Sequence, residues 1–215
     1  MTNAWASVVM CLGLGYVCGS LPWGLWLGRA FRGVDVRQLG SRNLGATNVF
    51  RTLGPGLGLA TLLLDMLKGA GPVWAIPQLP IAAAFPGGRE LCALGVGLAA
   101  VAGHLWTFLA GFKGGKGVAT TVGVLLAFAP LAFAAFAVVF VATVATTRYI
   151  SLGSMLGALA FAVTLAVLTP GGVRSHAFVF GVVVAVLVIA RHRDNIHRLL
   201  TGTERRFEWG RGEGA

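Results

Sequence analysis

Long stretches without any Asp, Glu, Lys or Arg dominate the sequence. They cover residues 4–28, 69–88, 91–112, 117–147, 149–173 and 175–190. Roughly 20 apolar residues in a helix cross a hydrocarbon layer about 30 Å thick, so several of these runs are long enough to span a membrane. Charged residues make up 11% of the chain, less than half of the share of about 25% in soluble domains. The sequence therefore predicts an all-α integral membrane protein with several spans and excludes a soluble or disordered chain.

The basic residues lie mainly in short segments between these runs, as the positive-inside rule describes. The segment 29–53 carries several arginines against a single acid, Asp35. We expect it to be cytoplasmic, which places the amino terminus outside. Lys113 and Lys116 mark a second cytoplasmic loop, and the arginine-rich carboxyl-terminal tail is predicted on the same side. Because this topology accounts for the net charge of +10, no nucleic-acid partner is expected.

The run 117–147 decides the number of helices. A single crossing places the arginine-rich tail outside, whereas two full crossings need roughly 17 residues each and a turn, more than the run contains. Pro130 lies near its middle and interrupts a helix, so we predict two short helices in a hairpin that returns to the cytoplasm. The expected fold is one domain over 1–215 with seven transmembrane or membrane-embedded helices, the amino terminus outside and the carboxyl terminus cytoplasmic. Its motif loops lie at about 29–54, 111–120 and 191–215.

Three polar segments are predicted on the cytoplasmic side: 40–48 with Arg51, the glycine-rich 111–117, and 191–195. Glycines allow backbone N–H groups to converge on an anion, while Arg, Lys, Ser, Thr and Asn side chains donate to phosphate oxygens. Because acids are scarce in these segments, an anionic ligand is expected and a metal site is not. The glycine-rich segment does not match a nucleotide P-loop, because Gly117 stands after Lys116 where Ser or Thr is required.

Several of these residues also have a structural explanation in the sequence. Ser41 and Thr47 have the side chains of helix caps. If a helix begins near Thr47, Arg51 lies one turn later on the same face. His192 and Asn195 are three residues apart and can face one ligand if they share a helix.

Other polar residues lie inside the apolar runs. Asp65 and Lys68 are three residues apart on a predicted helix, which favours a structural ion pair over a catalytic role. For His104, near the end of its run, the sequence leaves two roles open: a hydrogen bond to a carbonyl, or a place in the functional site. The three cysteines, Cys11, Cys18 and Cys92, lie in apolar runs and are interpreted as packing residues.

Taken together, these motifs resemble the bacterial PlsY family of integral-membrane acyl-phosphate:glycerol-3-phosphate acyltransferases. The resemblance is carried by Gly19-Ser20-Leu21-Pro22 with Gly24, 40–48 with Arg51, 64–69, Gly103-His104, 112–120, 148–152, 191–195 and Gly202-Thr203-Glu204. It implies a seven-helix membrane fold with cytoplasmic motifs. It also implies transfer of a fatty acyl group from acyl phosphate to glycerol 3-phosphate, which gives lysophosphatidic acid and phosphate in an early step of phospholipid synthesis.

The resemblance also implies the site. Its catalytic positions are Ser41, Arg51, Lys116, His192 and Asn195, and its substrate-binding positions are Gly40, Asn43, Gly45, Thr47, Asn48, Lys113, Gly114, Gly115, Gly117 and Arg193. Arg51 and Lys116 are expected to meet phosphate charge, and Ser41 and Asn195 to hydrogen-bond phosphate or the reacting carbonyl. No metal or cofactor is expected; the partners are the two substrates and the lipid bilayer. The implied location is the bacterial inner membrane, with the site facing the cytoplasm.

Two chemical routes remain open for the proton of the acceptor hydroxyl. His192 is a possible general base, but neighbouring arginines disfavour its protonation, so a phosphate oxygen of the donor is the favoured acceptor. Three positions depart from the family pattern: Arg42 stands where Gly is common, Asp194 stands where Glu is common, and no proline follows Gly103-His104. Arg42 is expected to affect the loop conformation or to add a phosphate contact.

Two other functional classes share some of these features. A transporter for an organic phosphate also needs spans and an anion site, but that site more often lies at mid-membrane on broken helices. A lipid-binding or scaffold protein needs basic anchors, but it does not need Ser, Asn and Gly grouped with them. An assay with palmitoyl phosphate and glycerol 3-phosphate separates the three classes.

Overall fold

A computed structural model describes residues 3–207, which form helices joined by turns and short loops. The α-helices in this part of the chain are α1 (Ala4–Gly19), α2 (Trp23–Arg32), α3 (Ala46–Leu53), α4 (Pro55–Ala75), α5 (Gly88–Leu105), α6 (Val118–Phe128), α7 (Pro130–Thr147), α8 (Ile150–Leu168), α9 (His176–Arg191) and α10 (Arg193–Leu200). They belong to two compact units, of which the first ends at Phe128 and the second begins at Ala129. The predicted tail loop 191–215 is described only as far as Phe207.

The described helices include five stretches that are long and apolar enough to cross a membrane: Ala4–Arg32, Pro55–Gln78, Gly88–Ala110, Pro130–Thr147 and Ile150–Leu168. The pair α9 and α10, bent by 60°, adds a sixth if it is counted as one span. Helix α6 is apolar but shorter. The prediction of an all-α protein with several spans is therefore confirmed. Seven helices and the orientation of the termini stay predictions.

The first apolar run, 4–28, lies within the candidate span Ala4–Arg32, which is broken into two helices. Helix α1 ends at Gly19 and α2 begins at Trp23. Pro22 lies at the break, since a proline ring inside a helix clashes with a carbonyl of the preceding turn and supplies no N–H. The break leaves carbonyl oxygens without helical donors. Thr107 Oγ1 donates to the Ser20 carbonyl at 2.5 Å, and Lys68 Nζ donates to the Leu21 carbonyl at 2.6 Å.

The run 117–147 is interrupted where the sequence predicts it, because α6 ends at Phe128 and α7 begins at Pro130. Proline is well tolerated at the first helical position, where its N–H has no partner to lose. The expectation of two short helices is wrong for the second one. Helix α7 has 18 residues and α6 has 11, so α7 is long enough to span by itself.

In the first unit, α4 packs on α3 and α6, and α1 packs on α5. The backbones approach closely at glycines: a Cβ added at Gly69 overlaps the Thr120 carbonyl, and one added at Gly103 overlaps the Tyr16 carbonyl. Small residues are the usual means by which membrane helices reach such contact, because lipid tails provide no hydrophobic force between helices. This packing fixes the ends of α5 and α6, which flank the glycine-rich segment.

In the second unit, α8 packs on both α7 and α9. Phe161 of α8 is fully buried, and its ring meets Phe180 of α9 edge to face with centroids 6.5 Å apart. Large apolar side chains such as Leu131 and Val167 are exposed on the outer surface of this unit. An apolar outer surface of this kind suits contact with lipid chains and not with water.

Candidate active site

Asn48 organises the first polar segment from inside. Its side chain is buried, with 3% of the residue exposed. Nδ2 donates to the carbonyl oxygens of Val36 at 3.1 Å, Leu39 at 3.2 Å and Asn43 at 2.9 Å, and Oδ1 accepts from the Ser41 N–H at 2.9 Å. The amide is thus used to fold the loop. Through the hydrogen bond to Oδ1, Asn48 fixes the position of the Ser41 backbone.

Ser41 lies at the exposed tip of this loop, between two residues in the left-handed region. Gly40 has φ +53°, and a Cβ there would lie 2.5 Å from Asn48 Oδ1. Arg42 has φ +59°, a conformation in which an L side chain is crowded against the following carbonyl. Glycine adopts this conformation without that crowding. Asn43 Oδ1 accepts from the Gly45 N–H at 2.8 Å and turns the chain into α3.

Helix α3 presents the next two predicted residues. Its N-cap is Gly45, and no side chain caps it, so the capping roles considered for Ser41 and Thr47 are wrong. The expectation that a helix opens here is confirmed. Thr47 and Arg51 are one turn apart on α3, and both are partly buried.

Two of the arginines in the preceding segment are held by Asp35. Arg37 Nη2 lies 2.6 Å and Arg29 Nη2 lies 2.9 Å from Asp35 Oδ2. The hydrogen bond from the Arg37 guanidinium holds the pKa of the Asp35 carboxyl well below its usual range. Arg37 Nη1 also donates to the Ala110 carbonyl at 3.4 Å. Arg37 therefore links the stretch before the first polar segment to Ala110, which directly precedes the second.

A small buried core joins the same two segments. It consists of Leu25, Val36, Leu44, Val49 and Ala110, with Leu53 and Leu57 packed against it. Leu44 and Val49 come from the first polar segment and α3, and Ala110 directly precedes the glycine-rich segment. The structure thus brings together two of the three segments that the sequence singles out, both of them in the first unit.

The glycine-rich segment folds back onto the end of α5. The N–H of Gly114 donates to the Leu105 carbonyl at 3.2 Å, and that of Gly115 donates to the His104 carbonyl at 3.1 Å. A Cβ at Gly114 would overlap the His104 carbonyl, so this residue permits close approach of two backbones. The backbone N–H groups that were expected to face an anion are used within the protein at both positions. Contact of Gly114 and Gly115 with substrate stays a prediction.

The two lysines of this segment differ in exposure. Lys113 is exposed and Lys116 is partly buried. Gly117, with φ +82°, makes the turn from Lys116 into α6. The partial positive charge of a helix amino terminus favours anions, so Lys116 and the start of α6 carry charge of the same sign.

The third segment is in the second unit and is described by itself. His192 lies at the bend between α9 and α10 and is the N-cap of α10, and Asn195 lies in the first turn of that helix. His192 is buried, and its Nδ1 is 2.7 Å from the Val188 carbonyl. Because a carbonyl only accepts, we assign the ring hydrogen to Nδ1, and the neutral ring then has its lone pair on Nε2.

Glu204 fixes Asn195, a role that the residue pattern does not predict. Its Oε1 accepts from Asn195 Nδ2 and Ser151 Oγ, each at 2.6 Å, and its Oε2 accepts from Arg198 Nε at 2.8 Å. Burial raises the pKa of the Glu204 carboxyl, but the hydrogen bonds from Ser151, Asn195 and Arg198 outweigh it and lower that pKa overall. The sequence signal for Glu204 was its place in Gly202-Thr203-Glu204, one of the motifs that carry the family resemblance.

The remaining predicted residue of this segment, Arg193, is on the surface. Its side chain is 86% exposed, and Nε lies 3.6 Å from Asp194 Oδ1. An exposed pair at this distance contributes little to stability. Arg193 can therefore meet a ligand without disturbing the fold.

Comparisons with known proteins point to one family. A family profile described as glycerol-3-phosphate acyltransferase matches residues 9–202. A glycerol-3-phosphate acyltransferase of Geobacter sulfurreducens is 48% identical over 195 residues, covering 90% of this chain and 94% of the relative. One from Methylorubrum populi is 46% identical over 207 residues, covering 96% of each.

Solved structures agree with these relatives. The crystal structure of PlsY (YgiH), an integral membrane glycerol 3-phosphate acyltransferase, in its glycerol 3-phosphate form is similar with a TM-score of 0.83 and 37% identity, over 94% of this chain and 96% of that one. Its lysophosphatidic acid form is similar with a TM-score of 0.80 and the same identity and coverage. The likeness therefore extends over sequence and fold together.

Proposed function

The chain belongs to the glycerol-3-phosphate acyltransferase family, and we propose that it takes its acyl group from an acyl phosphate. It is an integral membrane enzyme that transfers a fatty acyl group to glycerol 3-phosphate and forms lysophosphatidic acid. The observation that carries the assignment is the likeness over 94% of the chain to PlsY structures in glycerol 3-phosphate and lysophosphatidic acid forms. The acyl-phosphate donor rests on the resemblance of the motifs to the PlsY family.

The chemistry of an acyl phosphate suits this set of residues. It is a mixed anhydride, so phosphate is already a good leaving group, and the enzyme has to place two anions and stabilise developing oxyanion charge. We assign Arg51 and Lys116 to phosphate charge. Ser41 and Asn195 donate hydrogen bonds to phosphate or to the reacting carbonyl, and Thr47 adds a hydroxyl one turn before Arg51.

Two acids of the described chain, Asp35 and Glu204, have arginine partners. Asp35 is paired with Arg29 and Arg37, and Glu204 is paired with Arg198. Both carboxylates are ionised in these pairs, since hydrogen bonds from their partners hold their pKa values below the ordinary range.

We assign the acceptor's hydroxyl proton to a phosphate oxygen of the donor. His192 is the alternative base, through Nε2, but a protonated ring there has Arg191 and Arg193 as sequence neighbours, and like charges lower the proton affinity of an imidazole. Ser41 then acts as a ligand and not as a nucleophile, because a nucleophilic serine needs a base to take its proton.

The proposed topology has seven transmembrane or membrane-embedded helices in a bacterial inner membrane, with the amino terminus outside. The polar segments and the carboxyl terminus are cytoplasmic. A reporter fused after Ala215 is expected to be active in the cytoplasm, and a cysteine introduced near Gly88 is expected to react with an impermeant external reagent. External labelling of the tail contradicts this arrangement.

The donor is tested with the purified protein in detergent. With palmitoyl phosphate and glycerol 3-phosphate we expect phosphate and lysophosphatidic acid in equal amounts, and with palmitoyl-CoA we expect neither. The Arg51→Ala variant is the control for contaminating activity. Turnover with palmitoyl-CoA and none with palmitoyl phosphate contradicts the proposed donor but leaves the acyltransferase assignment intact.

A further inference from the structure

A buried polar cluster lies inside the first unit, apart from the residues assigned to substrate. It consists of Asp65 and Lys68 on α4 and His104 near the end of α5, with 1%, 6% and 5% of each residue exposed. Ionisable groups inside a membrane protein are costly to bury and are kept where they are paired or functional. The proposed reaction gives none of the three a part.

Asp65 is at the centre of the cluster. Lys68 Nζ lies 2.6 Å from Asp65 Oδ1, which confirms the ion pair predicted from their spacing, and it also donates to the Leu21 carbonyl at 2.6 Å. That carbonyl belongs to the break between α1 and α2. His104 Nδ1 lies 3.8 Å from the same Asp65 Oδ1. The pair is thus anchored on one side to a fixed backbone atom and faces the imidazole on the other.

The other edge of the imidazole lies against the glycine-rich segment. A Cβ added at Gly115 would overlap His104 Nε2, so the ring and the Cα of Gly115 are in direct contact. The His104 carbonyl accepts from the Gly115 N–H at 3.1 Å. His104 therefore holds this glycine with both its ring and its backbone. Lys116 is the next residue.

The contact between His104 and Gly115 restricts the backbone of the glycine-rich segment. Glycines lose more conformational freedom on folding than other residues, and this segment has four of them: Gly111, Gly114, Gly115 and Gly117. A lysine between glycines is poorly positioned unless the backbone beside it is fixed. Displacement of a catalytic group by about 1 Å costs on the order of 100-fold in rate.

We propose that His104, which lies beside the buried Asp65–Lys68 pair, is a positioning residue that fixes the backbone at Gly115 and so sets the position of Lys116. It acts through the loop and does not contact substrate. The inference rests on the proposed role of Lys116 in binding phosphate charge.

The test is a double-mutant cycle with steady-state kinetics on the detergent-purified protein, using palmitoyl phosphate and glycerol 3-phosphate. His104→Ala is expected to lower kcat/KM about 10- to 100-fold. In a Lys116→Ala background the same change is expected to cost less than about 3-fold, because its effect passes through Lys116. His104→Gln is expected to recover most of the activity, since its amide reaches toward the place of Nε2. His176→Ala, an exposed histidine on α9, is the matched control and is expected to match the wild type.

Independent, multiplying losses for His104→Ala and Lys116→Ala overturn the proposal, and so does full activity of Lys116→Ala. If His104→Ala does not fold, Gly115→Ala probes the same contact from the loop side, because its methyl group must displace either the ring or the loop. Its loss is also expected to shrink in the Lys116→Ala background, and multiplying losses there overturn the proposal equally. Wild-type turnover is measured first, so an inactive wild type with palmitoyl phosphate points to the donor and not to His104.

Discussion

Replacement of Glu204 offers the sharpest test of how the third segment is built. Glu204→Ala removes the acceptor of three hydrogen bonds, two of them from the buried donors Ser151 and Asn195. An unsatisfied buried polar group costs about 1–3 kcal/mol, while the partly exposed Arg198 can regain water. For the two buried donors together we therefore expect a loss of about 2–6 kcal/mol in the free energy of unfolding.

Activity is expected to fall with stability, since Glu204 orients the Asn195 amide that we assign to substrate. We expect Glu204→Ala to cost about 10- to 100-fold in kcat/KM, the effect of a misplaced catalytic group. Ser151→Ala is the matched control. It removes one donor of about 1 kcal/mol and leaves the carboxylate with Asn195 and Arg198, so its kcat/KM is expected to stay within about 3-fold of wild type.

The assays are thermal unfolding in detergent and phosphate release with palmitoyl phosphate. The sign of the pH dependence follows from the lowered pKa of Glu204. A carboxyl with a depressed native pKa stabilises the fold above its ordinary value of 4.5, and this contribution is lost as the pH falls through the native pKa. Glu204→Gln is expected to show less of this acid destabilisation. A Glu204→Ala protein with wild-type stability and turnover refutes the assignment of Glu204 as the support of Asn195.

Three further predictions concern the first unit. Arg51→Ala and Lys116→Ala each remove a charge-assisted contact of about 2–4 kcal/mol in the transition state, so each is expected to lower kcat/KM roughly 30- to 1,000-fold. Arg32 is exposed, and kcat/KM of Arg32→Ala is expected to stay within a few-fold of wild type. Equal losses for all three variants indicate an effect of nonspecific charge. Arg42→Gly relieves a left-handed residue at φ +59° and is expected to raise the free energy of unfolding by about 0.5–1 kcal/mol, seen as a higher Tm, whereas Arg32→Gly in α2 is expected to lower it. Labelled acyl phosphate without acceptor is expected to leave Ser41 unmodified by mass spectrometry, and an acyl-serine that forms and decays at the catalytic rate contradicts direct transfer.

The local sequence pattern was sufficient to predict those features that depend on residues close together along the chain. The apolar runs form helices, Pro130 is the first residue of α7, and Asp65 forms an ion pair with Lys68 one turn away. The break between α1 and α2 gives no signal in the hydropathy of the run 4–28, which is apolar on both sides of Pro22. The carbonyl oxygens at that break accept hydrogen bonds from Thr107 and Lys68, which are distant in sequence and give no local signal.

In the candidate site, too, the sequence predicts only part of what the structure shows. Sequence identifies residue types suited to anions, but it does not show which polar groups bind a ligand and which hold the loop that presents it. Asn48 looks like a ligand residue, yet its amide bonds Val36, Leu39, Asn43 and Ser41.

Gly114 and Gly115 look like an anion nest, yet their N–H groups bond the end of α5. In both loops the buried polar groups are used to fix the backbone, because an exposed side chain such as Ser41 has no packing of its own to hold it. A preorganised site of this kind needs such supports, since binding energy spent on ordering a loop is lost to catalysis. Substitutions at these supports are therefore expected to lower turnover even though the side chains never touch substrate.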